Sequence, residues 1–253
     1  RNSKLKTVIM KRYLILATAI LIASQAQGQD PDYILNRVEN NMSSENRIFE
    51  STMTINGAHR SRTITSRTYA EGYKKSFTEY LTPAREQGTK MLKLDNQLWI
   101  YSPSTDRIIQ ISGHMLRQSV MGSDLSYEDM MDDRKVTELY TATLGGDEVI
   151  GGRKTWILDL TAKVSDVAYN SIKMWVDTER YIPLREELFG TSGQLLKRTT
   201  FSEVQHIEGR WFPMKITYKD VLKSGDGTEF TITSVQFDQK IPDYIFTKAA
   251  LKQ

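Results

Sequence analysis

From Met53 onward, apolar and polar residues alternate with a period of two, and this period restrains the fold more than any other feature of the chain. Trp156, Leu158 and Leu160 alternate with Ile157, Asp159 and Thr161. Ile172, Met174 and Val176 alternate with Lys173, Trp175 and Asp177. The same pattern sets Phe212, Met214, Ile216 and Tyr218 against Pro213, Lys215, Thr217 and Lys219, and Phe230 and Ile232 against Glu229, Thr231 and Thr233. Successive strand side chains point to opposite faces, so each run makes a strand with one greasy face and one largely wet face. That is the signature of an antiparallel sheet packed on one side. Turn signals at Asp95-Asn96, Pro103-Ser104, Gly145-Gly146, Gly151-Gly152, Ser192-Gly193 and Gly225-Asp226-Gly227 are spaced for a meander of hairpins. The start departs from this period. Asp30-Pro31 supplies a capping carboxylate and a proline for the first helical turn, and Ile34, Val38 and Met42 make one apolar stripe. The expected fold is therefore mainly β with short helices.

A chain of 253 residues is long for one ordinary domain but within the range of a single all-β unit. With 39% hydrophobic and 26% charged residues it can bury a sizeable core. The net charge of +3 belongs to the first 28 residues, which hold Arg1, Lys4, Lys6, Lys11 and Arg12 and no acid. The rest is slightly acidic, which gives no electrostatic ground for a nucleic-acid partner. Met10-Lys11-Arg12, the apolar run 13–23 and the small residues at Ala26-Gln27-Gly28 have the layout of a secretory signal peptide, with 1–9 upstream of the Met10 start. The apolar run falls short of the ~20 residues that a membrane span needs. The expected organisation is a cleaved leader, 1–28, and one domain, 29–253, exported to the periplasm. The absence of cysteine excludes disulfides, thiolate metal sites and a cysteine nucleophile.

One stretch, 112–133, neither alternates nor is polar enough for a plain loop. It holds His114, Met115, Leu116, Val120, Met121, Leu125, Tyr127, Met130 and Met131, and Ser123 or Asp124 can cap a short helix there. Methionine makes an adaptable apolar surface, so the stretch is either a lid over the greasy face or a plug closing an ordinary core. Catalytic patterns are missing. The glycines at 146, 151 and 152 precede a strand rather than a helix, so they make a hairpin and not a phosphate loop. His59, His114 and His206 are scattered and read as surface or hinge residues. Glu128, Asp129, Asp132 and Asp133 lack calcium-loop spacing and read as solvated lid residues. No catalytic residue, metal site or cofactor is expected, and the chain is read as a non-enzyme.

Gly88-Thr89-Lys90-Met91-Leu92, Trp99-Ile100-Tyr101-Ser102-Pro103 and Gly122-Ser123-Asp124-Leu125-Ser126-Tyr127-Glu128-Asp129-Met130 resemble signature segments of the LolA-like outer membrane lipoprotein-sorting family. Trp175-Val176-Asp177, Pro183-Leu184-Arg185 and Ile241-Pro242-Asp243-Tyr244-Ile245-Phe246-Thr247 extend the resemblance over nearly all of 29–253. It implies a strongly curved antiparallel sheet, an unclosed (half) β-barrel covered by a helical lid in the LolA/LppX manner. The implied function is a periplasmic carrier that holds the acyl chains of lipoproteins or lipids. An inner-membrane exporter and an outer-membrane acceptor are its implied partners. The alternative is a lipid sensor or scaffold acting on a membrane regulator; a lipid hydrolase is the weakest option, for want of a nucleophile–base pair. The expected cargo-binding residues are Met121, Leu125, Tyr127, Met130 and Met131 on the lid. Facing them are Trp99, Tyr101, Trp156, Met174, Phe212, Met214 and Phe230. For Trp99 and Tyr101, Leu98 and Ile100 form the alternative inward pair.

Overall fold

The computed structural model describes residues 30–132 and 134–253; the expected leader lies outside them. Asp30 caps helix α1 (Pro31–Met42), its side chain accepting from the Asp32 amide at 3.0 Å. Ile34, Leu35 and Val38 form the buried stripe of that helix. Six strands follow: β1 (Asn46–Asn56), β2 (Ser61–Glu71), β3 (Lys75–Thr82), β4 (Lys90–Leu94), β5 (Gln97–Ser102) and β6 (Arg107–Ile111). After a long connection come β7 (Tyr140–Ile150), β8 (Arg153–Ala162), β9 (Ser171–Asp177), β10 (Pro183–Phe189), β11 (Leu195–Ile207), β12 (Arg210–Asp220) and β13 (Gly227–Phe237).

All thirteen strands join one antiparallel sheet in the order β6-β5-β4-β3-β2-β1-β13-β12-β11-β10-β9-β8-β7. Each half is a meander of local hairpins, and the halves meet at a seam where β1 pairs with β13, Arg47 opposite Phe237 and Asn56 opposite Gly227. β6 and β7 do not pair, so the sheet is not closed into a barrel. The Gly151-Gly152 hairpin forms as the sequence predicts: both glycines have positive φ, 56° and 78°, and Ile150 pairs with Arg153. Gly145-Gly146 is different. It lies inside β7, where the register shifts between Leu144 and Gly146, and it makes a bulge rather than a turn. A Cβ on Gly145 would collide with the Asp159 carboxylate unless that side chain moved.

Each half of the sheet carries the other half's terminal arm. α1 precedes β1, yet its stripe packs on Leu158, Leu160, Met174 and Val176 in the second meander. The C-terminal turns Asp243–Phe246 and Ala249–Lys252 follow β13, yet Phe246 and Leu251 pack on Phe77, Leu92 and Trp99 in the first. The connection between β6 and β7, residues 112–139, joins the two free edges and crosses the sheet as a strap. It consists of 3₁₀ turns at Gly113–Arg117, Val120–Gly122 and Glu128–Met130, then the one-turn helix α2 (Val136–Leu139). The α-helix that Ser123 or Asp124 was expected to cap does not form. Met121 and Gly122 adopt positive φ, 51° and 74°, which ends a right-handed helix, and both capping candidates make other contacts.

Candidate functional site

The strap lies on the inner face of the sheet and brings its apolar residues onto it. Tyr127 and Val120 are buried with Met91, Leu98 and Ile111, and Met121, Leu125, Met130 and Met131 pack around them. Met121 also reaches Met53, Ile64, Tyr80 and Phe230 near the seam. Between the strap and strands β1–β4 and β13 lies a cavity of about 320 Å³. Its apolar wall includes Phe49, Met53, Tyr80, Met91 and Phe230, roofed by Val120, Leu125 and Met130. Arg47, Ser66, Thr68 and Thr78 add a polar side to the same cavity. Thr68 Oγ1 and Thr78 Oγ1 satisfy each other at 2.9 Å, and Ser66 Oγ pairs with Ser51 Oγ at 3.1 Å. These hydroxyls therefore cost little where they are buried.

The expected site residues separate into groups. The five strap residues Met121, Leu125, Tyr127, Met130 and Met131 come together, and Phe230 faces them across the cavity. Phe212 and Met214 share the inner face but cluster with Phe237, beside Phe49 and Phe230. Trp156 and Met174 are in the second meander, under α1. Trp99 and Tyr101 lie on the opposite face of β5, where they pack with Phe77, Phe246 and Leu251. The inward pair is Leu98 and Ile100, which join the strap cluster. β5 is covered on both faces, so its alternation shows which residues share a face but not which face is inside.

Polar anchors hold the strap to both halves of the sheet. Arg62 on β2 donates to the carbonyl of Met121, the residue held at positive φ. Lys93 on β4 donates to the carbonyl of Asp132 at 3.4 Å. On the other side, both oxygens of the buried Asp124 carboxylate are used: one accepts from the Asp220 amide at 3.0 Å, the other from Thr228 Oγ1 at 2.8 Å. Lys223 donates to Ser119 Oγ and the Ser123 carbonyl at 2.6 and 2.7 Å. Asp129 is ion-paired with Lys197 of β11 and also accepts from Tyr169 and the Ser126 amide. Burial is the strongest influence on Asp129 and opposes its charge, but Lys197, Tyr169 and the amide together hold its carboxyl below the usual range. Asp129 is thus a latch, not the solvated lid acid expected from its neighbours; Glu128 beside it is exposed. Within the segment 122–130, Gly122 supplies the turn, Ser123 accepts from the Leu125 amide, and Asp124 and Asp129 fasten the strap.

Two inner-face groups had no sequence signal, because each sits at a strand position that reads as ordinary wet surface. Arg47 is one. Glu186 is the other: it lies on β10 between Met174 and Thr199, and burial alone pushes its carboxyl up to about 7. Some of its surface remains accessible, but that surface is on the inner face. His59, His114 and His206 are exposed, and among the described residues no three histidine or acidic side chains come together as a metal site.

A model of a family of uncharacterized proteins matches residues 72–253. A solved DUF1329 family protein from Desulfovibrio piger is 25% identical, with a TM-score of 0.79 over 88% of this chain and all of the other. A domain named for outer membrane lipoprotein sorting, from Vibrio parahaemolyticus, is 23% identical with a TM-score of 0.76, covering 88% of this chain and 98% of its own. A LolA superfamily protein from Nitrosomonas europaea is 24% identical with a TM-score of 0.73, covering 88% and 100%. No curated protein matches the chain.

Proposed function

Because the chain belongs to the family of uncharacterized proteins matched over residues 72–253 and has the LolA-like fold, we propose that it carries acyl chains of lipids or lipoproteins beneath its strap. The observation that carries this proposal is the cavity of about 320 Å³, with its long apolar wall, between the strap and the inner face of the sheet. Each methylene moved from water into such a space contributes about 0.8 kcal/mol, so a long chain can be held without any polar code. Release then needs only a partner that binds the chain more tightly or favours a lifted strap. A periplasmic location, with an inner-membrane exporter supplying cargo and an outer-membrane acceptor taking it, completes the proposal. The expected leader, 1–28, supports that placement.

Leu125 roofs the cavity while remaining only partly buried, which makes it the residue to test. Leu125→Asp puts a charge against an apolar wall and is expected to abolish retention of a fluorescent fatty acid, with the circular dichroism of the sheet unchanged. Unchanged binding with a normal spectrum would make the strap a surface loop. A collapsed spectrum would make it part of the folding core, with no role as a roof.

A further inference from the structure

Arg47 faces the cavity without an acidic partner. It is on the inner face of β1, two residues from Phe49, its guanidinium 5.9 Å from that ring. The guanidinium's one hydrogen bond among the described residues goes to the Met42 carbonyl at 3.2 Å. The carboxylates that line the same cavity are committed elsewhere: Asp129 to Lys197 and Tyr169, Asp132 to Arg134. The charged group that acts on it is another cation, Arg210, which is itself bound to Ser43 and Asp238. Burial, the largest influence, lowers the Arg47 pKa; the Tyr73 and Tyr218 hydroxyls nearby oppose that shift and Arg210 adds to it. Some Arg47 surface is nevertheless accessible. The two facts agree if that surface opens on the cavity and not on the outside.

A buried charge without a counter-charge is expensive. A lysine or glutamate can shed the cost by neutralising itself, but arginine stays protonated. Its planar fork matches a carboxylate or phosphate through two parallel hydrogen bonds. Beyond it, β1 presents Phe49 and then Met53 along the cavity wall. At about 3.3 Å per residue, Arg47 and Met53 stand roughly 20 Å apart along the strand, a distance suited to an extended acyl chain.

We infer that Arg47 is the seat for the anionic head of a single-chain amphiphile, a carboxylate or phosphate, whose acyl chain runs along Phe49 and Met53 beneath Leu125. This rests on the carrier function proposed above and narrows its cargo to an amphiphile with an acidic head.

The test compares cis-parinaric acid with its methyl ester, which has the same chain without the charge, by fluorescence titration of the purified protein. The wild type is expected to prefer the acid about tenfold or more, the scale of a charge-assisted pair. Arg47→Gln should bind both equally, and Arg47→Lys should keep part of the preference. Equal binding of acid and ester by the wild type overturns the anion seat and leaves the carrier intact. A preference that survives in folded Arg47→Gln removes Arg47 from the role. If Arg47→Gln does not fold, the wild-type comparison and Arg47→Lys decide. Binding of inorganic phosphate alone as tightly as the acid probe would make the site a free-anion site and overturn the amphiphile. If neither probe binds, the carrier function itself fails.

Discussion

The Asp124 carboxylate accepts from Thr228 and from the Asp220 amide in a place that water barely reaches. Asp124→Ala leaves both donors unpaired, which costs about 1–3 kcal/mol. Urea denaturation is expected to show that loss as a lower midpoint with an unchanged slope; a midpoint equal to wild type would mean that the anchor carries no net stability. Glu186 makes the opposite kind of prediction. An unperturbed carboxyl of this type loses its proton near 4.5, whereas the folded group holds it to about 7. Between those values the folded protein binds more protons than the unfolded chain, so stability falls as pH rises through the window and stays lower above it. Glu186→Gln should remove that slope: the variant should melt above wild type at pH 8 and with it at pH 4. Thermal melts that show no gap at pH 8 would place Glu186 in water. Neither Glu186 nor Arg47 could be recognised from the sequence, because a charged residue at an alternating position normally marks a solvated face. The half-open sheet encloses part of that face.

At the scale of elements, the strap was legible as an exception: a methionine-rich stretch in which the two-residue period stops. Its conformation was not. Helix propensity gives way here to Met121 in the left-handed region, which costs about 1–2 kcal/mol. The same residue's carbonyl is held by Arg62. Arg62→Ala is therefore expected to speed amide hydrogen exchange over 119–131 while the exchange of β8 and β9 stays as in wild type. Uniform acceleration would show that Arg62 supports the whole fold rather than the strap. Strands β8, β9, β12 and β13 formed at the alternating runs, whereas the Gly145-Gly146 turn signal fell inside β7 as a bulge. β5 was not legible in this way. Leu98-Trp99-Ile100-Tyr101 is apolar throughout, since the strap covers one face and the C-terminal turns the other, and alternation has no contrast to report.

At the scale of the molecule, the cavity lies near the lower end of the usual 300–1,000 Å³ range for ligand sites. A single acyl chain suits it with the strap in place, whereas a diacyl lipid needs the strap to lift. The chain has no cysteine, so spin labels can be introduced cleanly at the exposed positions Glu128→Cys and Thr63→Cys. Pulsed electron resonance is expected to give one distance in the presence of a fatty acid and an added longer one with a diacyl phospholipid. Identical distributions for the two lipids would show that the strap does not move to admit cargo.

The exchange of terminal arms has a consequence for how the halves depend on each other. α1 belongs by sequence to the first meander and closes the second, while the last turns belong to the second and cover the back of the first. The strap is the only covalent link between the meanders among the described residues, but it is not the only clasp: the β1–β13 seam and the two crossed arms also bind them. A chain cut once within the strap is thus a pair of complementary fragments, each holding the piece that completes the other. Such fragments should reassemble when mixed, and removal of α1 from one or of residues 241–253 from the other should prevent it. Split in this way, the protein becomes a two-part reporter whose reconstitution rebuilds the sheet around the seam.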